Sequence, residues 1–280
     1  LFDSRPVIHH FYARQSGKAS EVITRALSLP KETVLDRIEL GALYVRRKRC
    51  PSDEIVLEGD YIRFHDSPKR FVVKQYDWNE RIVVNEEDFV IVNKPAGLPS
   101  HQTLDNLKEN LRYELSRFLG IELLITHRLD QPTSGLLVFA KNHRFQKRFN
   151  RWLEKGKVSK RYVARTENAV PLGLHVHYME NNKRVPKTVR ADRFDGSLEC
   201  RIIVESCEVN RSADYRSADS SYEIFVQLLT GRTHQIRAQF SFLGAPIIGD
   251  VLYGSGSPLA DEVIALTAVE LSFGGFTFGI

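Results

Sequence analysis

The chain has 280 residues, 42% of them hydrophobic, and its 40 Lys and Arg against 35 Asp and Glu give a formal net charge of +5. This length accommodates one large and one small globular domain. No apolar run reaches the roughly 18 residues that a membrane-spanning helix needs, so we expect none. The cysteines Cys50, Cys200 and Cys207 lack the paired spacing of a zinc site or a disulfide framework, which indicates a reducing compartment.

The N-terminal part of the chain predicts a small α/β domain at 19–66. Residues 1–18 contain the run His9-His10-Phe11-Tyr12 and match no pattern that we can name, so we treat them as an N-terminal extension. Helical spacing and β-rich runs predict two helices and two strands in the domain, at Glu21–Leu29, Lys31–Leu40, Leu43–Val45 and Tyr61–Phe64. The turn after the first strand is basic and suits phosphate contacts through Arg46, Arg47 and Lys48.

A polar segment, 67–85, is predicted to be a linker, and 86–280 is predicted to be the large domain. Strands are expected at Phe89–Asn93, Leu136–Ala140, Tyr162–Arg165, Cys200–Glu208, Ser221–Leu229 and Ile264–Phe273. Helices are expected at Leu104–Leu119, Arg144–Lys155 and Thr233–Leu243. Many strands with a few helices indicate the α+β class with a mixed or antiparallel sheet.

The large domain carries the densest cluster of cations in the chain. Its members are Lys141, Arg144, Lys147, Arg148, Arg151, Lys155, Lys157, Lys160 and Arg161. Such clusters are what binding to a nucleic-acid backbone requires, although a solvated helix face would have the same composition.

The most informative run is His127–Lys141, in which Asp130 stands beside Arg128 and precedes a Pro-Thr-Ser-Gly turn and a wholly apolar stretch. A buried strand that fixes one end of a loop can hold a carboxylate rigidly at a cleft. A plain surface salt bridge between Asp130 and Arg128 is the alternative. Three other blocks accompany this run, at Val92–His101, Lys160–Ala164 and Leu228–Gly254.

Together these blocks closely resemble the pseudouridine synthases of the large-subunit-rRNA type A family, the RluA family, over roughly Glu86–Phe273. The order of helix, helix, strand, basic turn and Leu-Glu-Gly-Asp-Tyr-Ile-Arg in 19–66 resembles the small S4-like RNA-binding module that many family members carry. The resemblance implies a pseudouridine synthase domain built on a long curved sheet. It also implies an isomerase that converts uridine in RNA to pseudouridine, and we expect no cofactor and no metal.

The resemblance assigns the catalytic carboxylate to Asp130, the guanidinium that keeps it ionised to Arg237, and an active-site tyrosine to Tyr162. Opposite charge nearby favours the ionised form of a carboxylate, which suits the role given to Arg237. Without that role, Arg237 would pair with an acid on its own helix, and Tyr162 would be a core residue. Whether Asp130 attacks C1′ or C6 or abstracts a sugar proton stays open.

The target uridine must leave its stack to react, and the resemblance implies that Arg128 fills the vacated space. Arg232, Thr233 and His234 are expected to begin a helix after Gly231, whose free N–H groups could hold a phosphate. Further RNA contacts are expected from Lys94, Lys160 and Arg161.

The partner is therefore expected to be RNA, with rRNA favoured and tRNA as the alternative, and we expect a monomer without membrane contact. A cytoplasmic location is expected, or an organellar one if a targeting peptide has been removed. Two other function classes compete with this interpretation. One is a non-catalytic RNA-binding protein, and the other is a base-removing hydrolase, which would release free uracil.

Overall fold

The structure is a computed structural model that describes residues 7–182, 184–210 and 221–280. Contacts divide the chain into two compact units. The small unit comprises Leu1–Tyr76 and Leu98–Ile121, and the large unit comprises Asp77–Gly97 and Glu122–Ile280. These units do not coincide with the predicted segments, because 98–121 joins the small unit and 77–85, predicted as linker, joins the large one.

The helices are α1 (Ala19–Leu27), α2 (Lys31–Leu40), α3 (Trp78–Arg81), α4 (Leu111–Leu119), α5 (His143–Glu154) and α6 (Gln235–Phe242). The strands are β1 (Ile8–Tyr12), β2 (Gly17–Lys18), β3 (Leu43–Val45), β4 (Lys48–Arg49), β5 (Ile55–Val56), β6 (Tyr61–His65), β7 (Ile82–Asn85), β8 (Phe89–Lys94), β9 (Leu124–Ile125), β10 (Ser134–Ala140), β11 (Ser159–Thr166), β12 (Gly173–Met179), β13 (Val189–Arg190), β14 (Leu198–Asn210), β15 (Ser221–Leu228), β16 (Leu266–Phe273) and β17 (Phe276–Gly279).

The small unit packs α1 and α2 on a four-stranded sheet of order β1-β6-β3-β4. Its core contains Ile23, Val34, Ile38, Ile62 and Phe64, all essentially inaccessible to solvent. Strand β1 falls inside the predicted extension 1–18, whose first six residues lie outside the described part. Because β1 pairs with β6 along its whole length, the extension contributes an edge strand to this sheet.

The basic turn joins β3 to β4 and has an unusual backbone. Arg46 and Arg47 both adopt positive φ, 49° and 66°. Two successive residues of positive φ match the twist of a tight hairpin, which explains how this turn closes without a glycine. The Arg46 guanidinium forks onto Asp60, at 2.6 and 2.8 Å, whereas Arg47 and Lys48 are exposed.

The helix predicted at Leu104–Leu119 is wrong in its first half, because α4 begins at Leu111 with Asn110 as its N-cap. The Asn106 side chain explains the late start. Its amide oxygen accepts from the backbone N–H groups of Lys108 and Glu109, at 3.2 and 2.9 Å. Such local side-chain bonds satisfy the backbone in a non-helical conformation.

The large unit is built on a mixed sheet of eleven strands, with the path β13-β12-β14-β15-β11-β16-β10-β8-β7 and with β17 and β9 attached to β16 and β10. Among the described strands, the pairing is antiparallel except between β10 and β16. The predicted mixed sheet is therefore confirmed. Helix α5 packs Phe145 and Phe149 on Leu136 and Val138 of β10, which buries the strand that follows Asp130.

Candidate active site

Asp130 lies in a tight turn that feeds directly into β10. The backbone N–H of Thr133 donates to the carbonyl oxygen of Asp130 at 3.1 Å, so the turn spans Asp130–Thr133 and the strand begins earlier than predicted. Gly135 then crosses β16 with a φ of +107°, and a Cβ there would lie 2.2 Å from the carbonyl oxygen of Ala268. Only glycine permits this approach, and the close crossing fixes where the turn emerges from the sheet.

Arg237 contacts the Asp130 carboxylate from α6. Its Nη1 donates to Oδ2 of Asp130 at 3.4 Å. The arginine side chain is only 5% exposed, whereas that of Asp130 is 26% exposed. The pairing expected from sequence is therefore present, with the carboxylate at the solvent side and the guanidinium behind it.

A second carboxylate, Asp250, holds the same guanidinium more tightly. Nε and Nη2 of Arg237 donate to the two oxygens of Asp250 at 2.7 and 2.8 Å. Burial opposes the charge of Arg237, but the hydrogen bonds and charge of Asp250 prevail and raise the pKa of the guanidinium. Sequence reasoning missed Asp250, which lies outside α6 in the Gly-Asp-Val-Leu-Tyr-Gly run that ends the Leu228–Gly254 block.

Tyr162 is buried in the middle of the sheet. It stands opposite Val226 on β15 and Ala268 on β16, and it is 5% exposed. Burial raises the pKa of Tyr162 well above its ordinary value, and the negative charge of Asp130 raises it further. The phenol therefore stays protonated at neutral pH.

Lys94, predicted to contact RNA, is instead fully buried at the end of β8. Its Nζ donates to the carbonyl oxygens of Pro95 at 2.9 Å and Gln131 at 3.1 Å. Burial lowers the pKa of Lys94 to about 7, although the charge of Asp130 opposes the shift. This lysine fastens the Asp130 turn to β8, because its ammonium bonds the backbone rather than facing solvent.

The predicted helix start at Thr233 is wrong, because α6 begins at Gln235 and His234 has a left-handed φ of 55°. The backbone N–H of Arg232 is already bonded to Oε1 of Gln235 at 3.0 Å, so it does not form the expected phosphate cradle. His234 lies beside the carboxylate instead. Its Nε2 is 3.9 Å from Oδ2 of Asp130, its Nδ1 is 3.0 Å from the hydroxyl of Tyr253, and burial lowers its pKa.

The remaining predicted RNA contacts differ in how available they are. Arg128, Arg232 and Thr233 are exposed, although Nε of Arg232 also donates to the carbonyl oxygen of Glu199 at 3.3 Å. Lys160 is half-buried, and burial lowers its pKa to about 8. Arg161 is engaged by two carboxylates, Glu205 at 3.0 Å and Glu270 at 2.7 Å, so a phosphate would have to compete for it.

The described residues contain no cluster of three or more His, Cys, Asp or Glu side chains that could hold a metal ion. Within the same ranges, none of the helices is both long and apolar enough to cross a membrane. The groups that lie together at the Asp130 turn are the carboxylate of Asp130, the guanidinium of Arg237, the imidazole of His234 and the phenol of Tyr162.

Comparisons with known proteins point to one family. A family model described as RNA pseudouridylate synthase matches residues 88–242, more than half of the chain. A solved structure of human RNA Pseudouridylate Synthase Domain Containing 4 has a TM-score of 0.57 and covers 72% of this chain and 88% of that one. At 22% identity this is a likeness of fold.

Two plant proteins are similar in sequence. RNA pseudouridine synthase 6, chloroplastic, of Oryza sativa subsp. japonica is 30% identical over 313 residues, covering 90% of this chain and 66% of that protein. The protein of the same name in Arabidopsis thaliana is 34% identical over 211 residues, covering 70% of this chain and 45% of that protein. The chain thus spans less than two thirds of either relative's length.

Proposed function

The chain belongs to the RNA pseudouridylate synthase family, and from this premise we propose that it isomerises uridine in RNA to pseudouridine with Asp130 as the catalytic carboxylate. The observation that carries the proposal is the contact of Asp130 with the buried Arg237, in the turn that precedes the buried strand β10. A preorganised, partly exposed carboxylate with a buried cation behind it is suited to attack a nucleotide or accept a proton from it.

The proposed reaction breaks the N1–C1′ bond of uridine, rotates the uracil and joins C5 to C1′. The hydrogen at C5 leaves as a proton, and N1 ends with a proton, so the product is an isomer and no electrons are exchanged with another reactant. The protein must supply a carboxylate that survives unprotonated beside the base and a pocket that keeps water away from the reactive sugar. Asp130 can attack C1′, attack C6 or take a sugar proton, and all three routes need it ionised.

The position of Tyr162 bears on its proposed role. Burial and the negative charge of Asp130 raise the pKa of this phenol, which favours its neutral form. We assign Tyr162 to stacking on the everted uracil and to excluding water beside Asp130.

RNA recognition is proposed for exposed cations of both units. Arg128, two residues before Asp130, can fill the space that the everted uridine leaves, because a planar guanidinium stacks on bases. The small unit, with two helices on a sheet and the exposed Arg47 and Lys48, supports the proposal of an S4-like RNA-binding module. Modules of this kind favour an rRNA target, with tRNA as the alternative.

The location of the protein is proposed from the names of its relatives. Both plant proteins are called chloroplastic. These names support the organellar location over the cytoplasmic one for the protein that contains this chain.

The proposed activity has a direct assay. RNA that carries tritium at C5 of its uridines should release tritium to water when incubated with the protein, because C5 exchanges its hydrogen for C1′. A base-removing hydrolase would release free uracil instead, and a non-catalytic RNA-binding protein would release neither. Mapping pseudouridines in RNA from cells with and without the gene then identifies the target.

A further inference from the structure

Arg237 donates hydrogen bonds to two carboxylates, and these bonds differ in number and in length. Both oxygens of Asp250 are engaged by a fork from Nε and Nη2, at 2.7 and 2.8 Å, and Asp250 is 1% exposed. Asp130 receives a single long hydrogen bond of 3.4 Å from Nη1. His234 approaches the same oxygen, Oδ2, so neither neighbour engages Oδ1 of Asp130.

The backbone around Asp250 explains why its carboxylate is a fixed point. Gly249 precedes it with a φ of +89°, where a Cβ would lie 2.4 Å from the carbonyl oxygen of Val263. The N–H of Asp250 donates to the carbonyl oxygen of Ile247 at 2.9 Å, and its own carbonyl oxygen accepts from Ser255 at 3.1 Å. The carboxylate is therefore carried by a tightly closed turn packed against the rest of the unit.

The same turn supplies a second contact to the guanidinium. The ring of Tyr253 lies 4.9 Å from Cζ of Arg237. The Tyr253 hydroxyl accepts a hydrogen bond from the backbone N–H of Lys187 at 2.8 Å, which sets the plane of the ring. One short segment thus contributes both a carboxylate and an aromatic face to Arg237, and together these define its orientation.

We propose that Asp250 is a positioning residue of this site, which fixes Arg237 so that the guanidinium offers one N–H to Asp130 without clamping both of its oxygens. The inference rests on the proposed role of Asp130 as the catalytic carboxylate. A forked pair between arginine and carboxylate is stronger and geometrically stricter than a single bond. With the fork placed on Asp250, Oδ1 of Asp130 remains able to reach the substrate.

The negative charge of Asp250 also determines which carboxylate the Arg237 guanidinium binds more tightly. Arg237 faces two carboxylates, and the closer one is matched to it by two short hydrogen bonds. If Asp250 lost its charge, the guanidinium would turn to Asp130, the remaining carboxylate, and would close a forked pair there. The reactive group would then be engaged on both oxygens, and turnover would fall while the RNA-binding surface stayed intact.

Two variants with opposite defects test the proposal. Asp250→Asn keeps the shape but cannot accept the whole fork, and Asp250→Glu keeps the charge but displaces the fork by one methylene. For both we expect kcat to fall roughly 10- to 100-fold, with KM for RNA changed by less than about 3-fold, as small misplacements at active sites do. Asp88→Asn is the matched control, because Asp88 also pairs with arginines in the large unit and should retain wild-type kcat.

A double-mutant cycle separates positioning from a general structural role. Arg237→Lys removes the fork, so adding Asp250→Asn to it should cost little further kcat. The proposal would be overturned if Asp250→Asn lowered kcat as much in the Arg237→Lys background as it does in the wild type. Wild-type kcat in both single Asp250 variants would also overturn it. Asp130→Ala is measured in the same assay. An active Asp130→Ala would contradict the proposed catalytic role of Asp130. An inactive Asp130→Ala together with fully active Asp250 variants would contradict only the positioning role of Asp250.

Discussion

The ammonium nitrogen of Lys94 lies 3.1 Å from the carbonyl oxygen of Gln131, the residue that follows Asp130 in its turn. The same nitrogen donates to the carbonyl oxygen of Pro95 at 2.9 Å, and the lysine side chain is fully buried. Lys94 therefore ties the end of β8 to the turn that carries the proposed catalytic carboxylate. Removing it leaves two carbonyl groups without this donor.

Replacing Lys94 by methionine should damage the fold and the chemistry while sparing RNA affinity. Above about pH 10.5, where the lysine is neutral in both the folded and the unfolded protein, loss of this buried donor should cost about 1–3 kcal/mol of unfolding free energy. The loosened Asp130 turn should lower kcat. Urea denaturation, turnover and RNA binding at several salt concentrations measure the three effects. Lys147→Met, at an exposed position on α5, should do the reverse, leaving stability intact and weakening RNA binding. If Lys94→Met weakened RNA affinity and left stability unchanged, the result would support the direct RNA contact that the sequence predicted for Lys94.

The buried position of Lys94 also predicts a pH dependence of stability. Burial lowers its pKa to about 7 in the folded protein, against an ordinary value of 10.5 in the unfolded chain. Between these values the unfolded chain binds more protons, so unfolding free energy rises with pH. Burying the charged lysine lowers the unfolding free energy by its full amount below about pH 7. This loss disappears as the pH rises to 10.5, because the lysine is then neutral in the unfolded chain as well.

The measurement is the difference in unfolding free energy between wild type and Lys94→Met across this range. We expect that difference to move in favour of the wild type as the pH rises from 7 to 10.5. Taking the difference cancels the other groups that titrate in the range. A flat or falling difference would show that Lys94 is not buried as the structure has it.

Gly135 should tolerate no side chain. An alanine Cβ there would lie 2.2 Å from the carbonyl oxygen of Ala268, at a φ of +107°. Gly173 is the matched control, because its φ is +105° and a Cβ at that position would have nothing within 4 Å. Both alanine variants carry the backbone strain, so Gly135→Ala should be less stable than Gly173→Ala by roughly 1–3 kcal/mol, the usual cost of overpacking.

Activity gives the second measurement for this pair. Because β10 carries the Asp130 turn, Gly135→Ala should lose turnover at a temperature where it remains folded, and Gly173→Ala should keep it. Equal stability and equal turnover in the two variants would mean that the crossing of β10 and β16 does not position the site.

Apolar and β-rich runs predicted six of the eleven strands in the sheet of the large unit. The pairing of Asp130 with Arg237 was implied by the family resemblance, which long and compositionally distinctive motifs carry. What they could not predict depends on tertiary structure. Asp250 meets Arg237 only because the segment after α6 folds back over that helix. The sequence around Lys94 predicts an exposed cation. It does not indicate that a lysine at the end of an apolar strand donates hydrogen bonds to backbone carbonyl oxygens.

The boundaries of some helices and strands were also predicted wrongly, for local reasons. The β1 strand is short and rich in histidine, so its sequence shows no clear alternation of apolar and polar residues. Side-chain bonds from Asn106 delay α4, and a left-handed His234 delays α6. Neither effect is visible in helical spacing, which responds to apolar positions and not to competing backbone hydrogen bonds.

The small unit should contribute RNA affinity through its basic turn. Replacing both Arg47 and Lys48 by alanine should weaken binding similarly for all RNAs that fit. The salt dependence should also fall, by about one in the log–log slope for each phosphate that the protein no longer neutralises. Point variants suit this test better than deletion of 1–66, because 98–121 belongs to the same unit. Lys31→Ala, which removes a cation paired with Glu21, is the control, and an equal effect there would argue against a specific surface.

Release of tritium from RNA labelled at C5 of uridine, compared between the wild type and Asp130→Ala, is the most direct measurement of the proposed mechanism. We expect the wild type to release tritium, and the variant to release none while binding the RNA with nearly unchanged affinity. Undiminished release by Asp130→Ala would contradict the assignment of this carboxylate as the catalytic group.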